Sequence, residues 1–370
     1  LFSFFCVHNI QVYAEDKIKI GLLVPITGEN KNLGSQIIQS TRIALKDINI
    51  ENIEIHLKDT NSNPDKAKRS ALEFREMGIK IVIGPIFFES LTYLEEVKEI
   101  TFLSLTNKTI NLPSNVVSAG INATSQLEVI KKFIELNKIE KTIILTPKLD
   151  YENEVRKAIK ESKIKIFKHH VYNTEPTKLT SQIEKITNYK IRKKNLKDEI
   201  KRVEESDLTD KEKQLEKLER IYTIGDVDFD SVIISDFDES LKSVITSLLY
   251  TDVSPKDKYF ITFNQWFDDS LLNETSSQPI YYPSINKDNL EKFEKKFFNT
   301  FNQNPNHLSL LSYDLIGLIY YLSLKDDLSE IKKVFKSKNS FKGKIGIFDI
   351  ENNKINHRLN FYKIEEGVLK

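Results

Sequence analysis

The sequence IKIGLLVPI at residues 18–26 is the stretch that decides the fold. This apolar run has the length of one strand, and it is typical of a strand that is buried on both faces. A loop with Gly28 and Gly34 follows, and apolar or small side chains then recur at helical spacing from Ile37 to Ile48. The pattern predicts a strand, a loop and a helix at the start of the fold.

The same alternation continues along most of the chain, with short connections. It predicts an α/β protein in which parallel sheets are flanked by helices. Asn63 followed by Pro64 predicts a helix start, since an asparagine N-cap is followed by a proline in the first helical position. Near the C-terminus, residues 344–350 and 357–364 flank Asn352 and predict a β-hairpin.

One segment, from Thr177 to Tyr222, departs from this alternation. It contains no glycine or proline and is densely charged. A heptad-like stripe is formed by Ile186, Tyr189, Lys193, Leu196, Ile200 and Val203, and a second stripe by Lys211, Leu215, Leu218 and Tyr222. Thr209 with Glu212 has the spacing of a capping box for the second helix. The segment predicts an antiparallel helical hairpin, which either contacts a partner or is a solvated insertion.

The composition of the chain excludes several kinds of partner and site. The chain has 370 residues, enough for two lobes, and 55 Lys and Arg balance 54 Asp and Glu, for a net charge of +1. This balance gives no general electrostatic attraction to nucleic acid or to an anionic membrane. A single cysteine excludes an intramolecular disulfide and a thiolate zinc site.

Motifs for catalysis are missing from the sequence. It has no Walker loop, no G-x-G-x-x-G after a strand, no G-x-S-x-G elbow and no H-x-x-x-H pair. The adjacent His169 and His170 point to opposite faces of a predicted strand, and Asp268 with Asp269 is weak support for acid–base chemistry. We therefore expect a protein that is not an enzyme and that holds no cofactor or metal.

Loops that follow strands are the expected ligand site, because α/β folds bind ligands at the carboxyl ends of their strands. If the two lobes face each other, these loops line one cleft, where helix N-termini favour anions and aromatic rings stack on a ligand. The candidate residues are Thr27, Phe87, Phe88, Ser104, Thr106, Asp150, Tyr151, Asp236, Asn264 and Trp266. Phe87 and Trp266 are equally suited to filling the core near the hinge.

The N-terminus resembles the end of a secretory signal. The apolar run from Leu1 to Val7 is too short to span a bilayer, and Val12 and Ala14 suit signal peptidase at positions −3 and −1. Phe5 before Cys6 argues against lipid attachment. We expect export to the periplasm with cleavage near Ala14 and no transmembrane segment; the alternative is an ordinary N-terminal strand or helix.

Taken together, these stretches resemble the type I periplasmic-binding-protein fold. The resemblance rests on residues 20–28 with Gly34, on residues 59–85, on Ser104 and on Tyr313 with Asp314, and it covers nearly the whole mature chain. In this family the chain crosses between two lobes three times. The resemblance implies a signal remnant at 1–14, lobe I at 15–121 and 277–337, and lobe II at 122–276, with the hairpin at 177–222, and at 338–370.

Two functions occur within this fold. Leucine/isoleucine/valine-binding proteins deliver amino acids to the permease of an ABC transporter, whereas penicillin-binding protein activators (LppC/LpoA-like proteins) stimulate peptidoglycan synthases by protein contact. Residues 84–87, Gly-Pro-Ile-Phe, replace the hydroxyl-rich loop with which the amino-acid binders hold a carboxylate, and Leu33 stands where those binders often carry an aromatic. Residues 266–269, Trp-Phe-Asp-Asp, look like the activators.

Other residues are similar to the amino-acid binders. Ser104, Thr106 and Tyr151 match their ligand-contacting positions, where the first two would bond an anionic group and Tyr151 would pack over the ligand. The resemblance therefore implies an exported, non-enzymatic activator that contacts a penicillin-binding protein. The alternative is a solute-binding protein for branched-chain or other amino acids that feeds an ABC transporter.

Overall fold

The computed structural model describes residues 17–49, 52–325, 331–344 and 346–370. The chain divides into two compact units. Unit 1 comprises the residues up to Thr106, 113–117 and 297–336, and unit 2 comprises 107–112, 118–296 and 337–370. The predicted signal remnant at 1–14, with Cys6 and the cleavage position near Ala14, lies outside the described residues.

The elements alternate as the sequence predicts. The strands are β1 (Ile18–Val24), β2 (Ile53–Asp59), β3 (Ile81–Ile83), β4 (Thr101–Ser104), β5 (Val116–Ser118), β6 (Thr142–Pro147), β7 (Lys168–Tyr172), β8 (Ser231–Ile234), β9 (Tyr259–Thr262), β10 (Ile280–Ser284), β11 (Asn339–Lys342), β12 (Ile347–Glu351), β13 (Lys354–His357), β14 (Asn360–Glu365) and β15 (Val368–Leu369). The α-helices are α1 (Lys31–Ile48), α2 (Pro64–Glu76), α3 (Ala123–Leu136), α4 (Tyr151–Ser162), α5 (Pro176–Ile186), α6 (Tyr189–Glu204), α7 (Lys211–Glu219), α8 (Asp238–Tyr250), α9 (Ser270–Asn273), α10 (Lys287–Phe301), α11 (His307–Lys325) and α12 (Ile331–Lys336).

Unit 1 is built on the strand that opens the fold. Its sheet has the order β2-β1-β3-β4-β5, in which β1 runs parallel to both β2 and β3, and β3 runs parallel to β4. Consecutive side chains of β1, from Leu22 to Val24, are buried, so both faces of the strand are covered. The predicted parallel α/β architecture is confirmed.

Helix α2 begins as predicted. The side chain of Asn63 accepts a hydrogen bond from the amide of Lys66 at 3.0 Å, and Pro64 occupies the first helical position. Ala67 and Ala71 are buried, which lets the helix pack closely on the sheet. The helix therefore starts and packs as its local sequence dictates.

Helix α11 is a largely apolar helix of 19 residues. By length and composition alone it could cross a bilayer, but 61% of its apolar window is buried in unit 1. It packs along α1, where Tyr313 donates a hydrogen bond to the carboxylate of Asp47 at 2.6 Å and Ser40 donates one to the carbonyl of Ser309. These contacts make α11 a core helix of unit 1.

Unit 2 contains a seven-stranded sheet with the order β15-β14-β10-β9-β8-β6-β7. Strands β6 to β10 within it are parallel, whereas β14 runs antiparallel to β10 and to β15. Val232 and Ile234 of β8 enter one apolar cluster and Ile233 enters another, so this sheet is also buried on both faces.

The predicted helical hairpin differs from the structure in detail. The segment forms three helices, α5 to α7, and on α6 the buried position is Arg192 rather than Lys193. Asp210 occupies the N-cap position of α7, so the predicted capping box at Thr209 is wrong. Tyr222, assigned to an apolar stripe, is 75% exposed. Arg192 shifts the buried stripe by one position because it finds carbonyl partners inside unit 2.

One prediction near the C-terminus also needs correction. Residues 360–365 do not complete the predicted hairpin, because β14 pairs with β10 and the hairpin is formed by β12 and β13 alone. Strand β10 also pairs with β9 in the sheet of unit 2. The sequence pattern does not predict β10, because Pro279 and Pro283 interrupt its apolar run.

Substitution Gly34→Ala should destabilise unit 1. A Cβ atom at Gly34 would lie 1.8 Å from the carbonyl oxygen of Pro25, so α1 would have to move away from the end of β1. We expect a loss of about 1–3 kcal/mol, measured as a lower midpoint of thermal unfolding. Gly317→Ala, in α11, meets nothing within 4 Å and should raise stability by up to about 1 kcal/mol. Equal effects of the two variants would contradict the close contact.

Candidate functional site

In unit 1 the carboxyl ends of β1 and β2 are joined by one carboxylate. Asp59 accepts hydrogen bonds from the amides of Ile26 at 2.7 Å and Asn61 at 2.8 Å, from the hydroxyl of Thr27 at 2.6 Å and from the ammonium of Lys66 at 2.6 Å. Thr27, predicted as a ligand contact, therefore has its hydroxyl hydrogen directed at Asp59.

This network holds Asp59 ionised. Burial raises the pKa of its carboxyl, but the bonds from Lys66, Thr27 and the amides of Ile26 and Asn61 outweigh burial and hold that pKa well below its usual range. Asp59 is not among the predicted site residues; it is the first of residues 59–85, on which the resemblance partly rests. The signal that identifies it is its position as the last residue of a parallel strand, next to an asparagine-rich turn.

Ser104, at the end of β4, is fully buried. Its hydroxyl donates to the carbonyl of Pro85 at 2.7 Å and accepts a hydrogen bond from the amide of Thr106 at 3.3 Å. The hydroxyl hydrogen that was expected to bond the anionic end of a ligand is thus used inside unit 1. Ser104 supports the loop that follows β3.

That loop carries the predicted aromatic residues. Gly84 has a φ of 99°, and a Cβ atom there would lie 2.1 Å from the carbonyl oxygen of Leu23, so only glycine fits. Phe87 and Phe88 are both half-buried, at the start of a short 3-10 helix, and Thr106 is buried. Bulky rings therefore stand where amino-acid binders are expected to present small hydroxyl side chains.

In unit 2, Asp236 lies two residues after the end of β8, inside a hydrogen-bond network. Its carboxylate accepts the hydroxyls of Tyr172 and of Ser240, the latter at 2.6 Å, and its carbonyl accepts the side-chain amide of Gln265 at 3.1 Å. Burial, together with the charge of Asp236, raises the pKa of Tyr172 above its usual range, so Tyr172 remains a donor. Asp236 is mainly a structural acceptor.

Asn264 follows β9 and is buried. Its side-chain oxygen accepts the amide of Trp266 at 2.9 Å and the hydroxyl of Ser284 at 2.8 Å, whereas its side-chain Nδ2 is buried without a hydrogen-bond partner among the described residues. Trp266 is half-buried, with a φ of 51°. Asn264 thus shapes this turn and leaves one donor unused.

Tyr151 begins α4, and its ring lies edge-on to Phe237 and to Phe263, with centroids 6.5 and 6.4 Å away. Its hydroxyl is buried with no hydrogen-bond partner in the described part of the chain. Burial and the charge of Glu154 raise its pKa, so the hydroxyl stays protonated. Asp150, just before it, is exposed and makes no capping bond.

Unit 2 also has a cavity at the other end of its sheet. A cavity of about 1140 Å³ opens at the amino ends of β9 and β10, lined by residues such as Lys258, Tyr259, Tyr281 and Lys363. None of the ten predicted site residues lines it. Among the described residues, no group of three or more His, Cys, Asp or Glu side chains could hold a metal ion.

Substitution Ser104→Ala should lower the free energy of unfolding. The variant leaves the buried carbonyl of Pro85 without its donor, which should lower stability by about 1–3 kcal/mol. The matched control is Ser90→Ala, because Ser90 is equally buried and its hydroxyl has no partner among the described residues. That variant should be neutral or slightly stabilising in thermal unfolding, and an equal loss in both would rule out a supporting role for Ser104.

Asp59→Asn should destabilise unit 1 in a pH-dependent way. Because the pKa of Asp59 is lowered by folding, its carboxylate contributes stability above the unfolded value of about 3.9 and loses that contribution as pH falls further. We expect the variant to lose about 2 kcal/mol at pH 7 and progressively less below pH about 4. Unfolding midpoints from pH 3 to 7 measure this, with the exposed Asp65→Asn as control. A deficit that stays constant over that range would contradict the charged network.

The architecture is similar to that of known binding proteins. A sequence model of a periplasmic binding protein family matches residues 17–192. The C-domain of LpoA (YraM) from Haemophilus influenzae, a regulator of PBP1A, matches with a TM-score of 0.64 and 14% identity, over 95% of this chain and 98% of that one. This chain spans 58% of full-length LpoA from the same organism.

Transport proteins match as well. A putative branched-chain amino acid ABC transporter protein from Rhodospirillum rubrum has a TM-score of 0.70 at 12% identity, over 96% of this chain and 99% of that one. LivJ from Streptococcus pneumoniae, in complex with isoleucine, has a TM-score of 0.55 at 16% identity, over 96% of this chain and 98% of that one. No curated protein sequence matches. The chain therefore has the type I periplasmic-binding-protein fold.

Proposed function

We propose that this protein is an exported, non-enzymatic regulator of peptidoglycan synthesis that acts by contacting a penicillin-binding protein. The observation that carries the proposal is the bond from the hydroxyl of Ser104 to the carbonyl of Pro85. A receptor for free amino acids needs donors directed at the ligand carboxylate, and here the buried serine at that position is directed at its own backbone.

The neighbouring loop supports the same conclusion. Between Gly84 and Phe88 the chain offers a proline, an isoleucine and two half-buried phenylalanines instead of serine or threonine side chains. Thr27, another predicted hydroxyl ligand at this edge of unit 1, donates to Asp59. An ionised carboxylate at that place also repels an anionic ligand.

The comparisons agree with a binding protein or a regulator. They do not distinguish a regulator of peptidoglycan synthesis from a solute receptor. LpoA, whose C-domain covers nearly the same length as this chain, is described as a regulator of PBP1A, and the other matches are transport proteins. These relatives are binding proteins or regulators. Export to the periplasm is part of the proposal and agrees with the family model that matches residues 17–192.

A second candidate function, the binding of a small polar solute for an ABC transporter, has one specific observation in its favour. The hydroxyl of Tyr151 and the side-chain nitrogen of Asn264 are buried donors without partners in the described residues. Each unpaired buried donor lowers stability by about 1–3 kcal/mol, and a ligand acceptor would relieve that loss. Both groups belong to the carboxyl edge of the sheet in unit 2.

A thermal-shift measurement on residues 15–370 separates the two functions. With leucine, isoleucine or valine at millimolar concentration we expect no change in the unfolding midpoint, whereas a ligand at 100 times its dissociation constant would stabilise the protein by about 2.7 kcal/mol. A shift that Tyr151→Phe abolishes would establish the solute receptor and overturn the regulator.

The regulator hypothesis is tested directly with purified class A penicillin-binding proteins from the organism that encodes the chain. Binding in a surface-immobilised assay, together with a change in the rate of glycan polymerisation or peptide cross-linking, supports the regulator. Tyr151→Phe is the matched control here, because it removes a hydroxyl that the regulator does not use and should leave that binding unchanged. Absence of binding to every such synthase would overturn the proposal.

A further inference from the structure

Helix α6 is held on unit 2 in one orientation. Arg192, only 7% exposed, donates hydrogen bonds to the carbonyls of Gly225 at 2.8 Å, Thr251 at 3.0 Å and Asp252 at 3.1 Å. Tyr189 packs on Tyr250 with ring centroids 5.4 Å apart. These contacts decide which face of α6 points away from unit 2.

The outward face of α6 carries a stripe of four lysines, which we call the lysine stripe. Its members are Lys190, Lys194, Lys197 and Lys201, spaced by four, three and four residues, so they lie along one side of the helix over about 16 Å. All four are exposed. The whole helix has seven basic and three acidic side chains, although the complete chain is nearly neutral.

This arrangement is unfavourable within the protein itself. Like charges three or four residues apart on a helix repel, and the stripe contains three such pairs. The end members have glutamate partners, Glu184 at 3.8 Å from Lys190 and Glu205 at 3.7 Å from Lys201, whereas Lys194 and Lys197 make no ion pair within the described chain. An acidic surface outside the protein would relieve this repulsion.

Exposed apolar side chains occur on α6 and in the segment that runs beside it. Ile191 is 62% exposed on α6, and Tyr222 is 75% exposed in the segment that follows α7. The amide of Ile224 donates to the carbonyl of Arg192 at 3.1 Å, so that segment runs beside the first turns of α6. Ile191 precedes Lys194 by three residues and is therefore its neighbour on the helix surface. Exposed isoleucine and tyrosine side chains together with exposed lysines have the composition of a protein interface, with an aromatic anchor and a charged rim.

We propose that the lysine stripe, with Ile191 and Tyr222, is the surface that binds an acidic, partly apolar face of the penicillin-binding protein. This inference rests on the proposed function and adds the location and the chemistry of the contact. A protein partner fits better than a lipid surface, because a helix that lies on a membrane needs a wide apolar face. In α6 that face, which contains Leu196 and Val203, is buried in unit 2.

The test compares two double variants with the same change of charge. Lys194→Glu with Lys197→Glu reverses the centre of the stripe, and Lys213→Glu with Lys217→Glu reverses two lysines of α7 as control. Neither variant touches Arg192, and circular dichroism checks the helix content of both. We expect the stripe variant to bind the synthase roughly tenfold more weakly than wild type at 0.15 M salt, and the control to bind within about twofold of wild type.

Two further measurements test the surface: the dependence of binding on salt concentration, and the effect of removing the ring of Tyr222. Wild-type affinity should fall as salt rises from 0.05 to 0.5 M, and the stripe variant should lose most of that dependence, because screening weakens only charge pairs that exist. Tyr222→Ala should weaken binding by at least about tenfold if the ring is an anchor.

The outcomes of these experiments separate the proposed surface from the proposed function. If wild type and the stripe variant bind the synthase equally, the inference is wrong and the proposed function stands. If wild type binds no synthase, the proposed function fails. Equal losses in both double variants would mean general charge attraction and would overturn the inference. Vesicles with 30% phosphatidylglycerol serve as the lipid arm, and stripe-dependent binding to them without an effect on synthase binding would assign the surface to lipid instead.

Discussion

Close approach of backbone to the end of β1 is the constraint on which unit 1 depends. Gly34 of α1 lies against the carbonyl of Pro25, and Gly84 in the loop after β3 lies against the carbonyl of Leu23. Both distances leave no room for a Cβ atom. Strand β1 therefore has a helix, a loop and two neighbouring strands packed around it. The position of α1 and of the loop after β3 follows from that packing.

The same edge is fixed by polar groups of a kind that can bind ligands, which here bind the protein itself. Asp59 joins the ends of β1 and β2, and Ser104 holds the loop after β3 through Pro85. In unit 2 the carboxylate of Asp236 is occupied by hydroxyls in the same way. Buried polar groups are stable only when they are paired, so these side chains stabilise loops and leave few donors for a solute.

The helical segment of unit 2 shows the opposite distribution. Its buried side satisfies Arg192 with three backbone carbonyls, and its outer side keeps Lys194 and Lys197 without ion pairs in the described residues. A surface with unmatched charge and exposed apolar side chains is suited to association with another molecule. The described residues thus combine a strand edge whose polar groups are paired with a helix face whose two central lysines make no ion pair.

Local sequence determined the parts of the fold that depend on neighbours in the chain. The apolar run of β1, the Asn63 cap and the alternation of strands and helices could be identified because their period and their capping partners lie within a few residues. Tertiary structure alone decided the partner of Ser104, 19 residues away, the pairing of β10 with β14, and the choice of Arg192 over Lys193 as the buried position. Those outcomes depend on which distant carbonyls and strands the packed chain brings within hydrogen-bond distance, and periodicity carries no information about that.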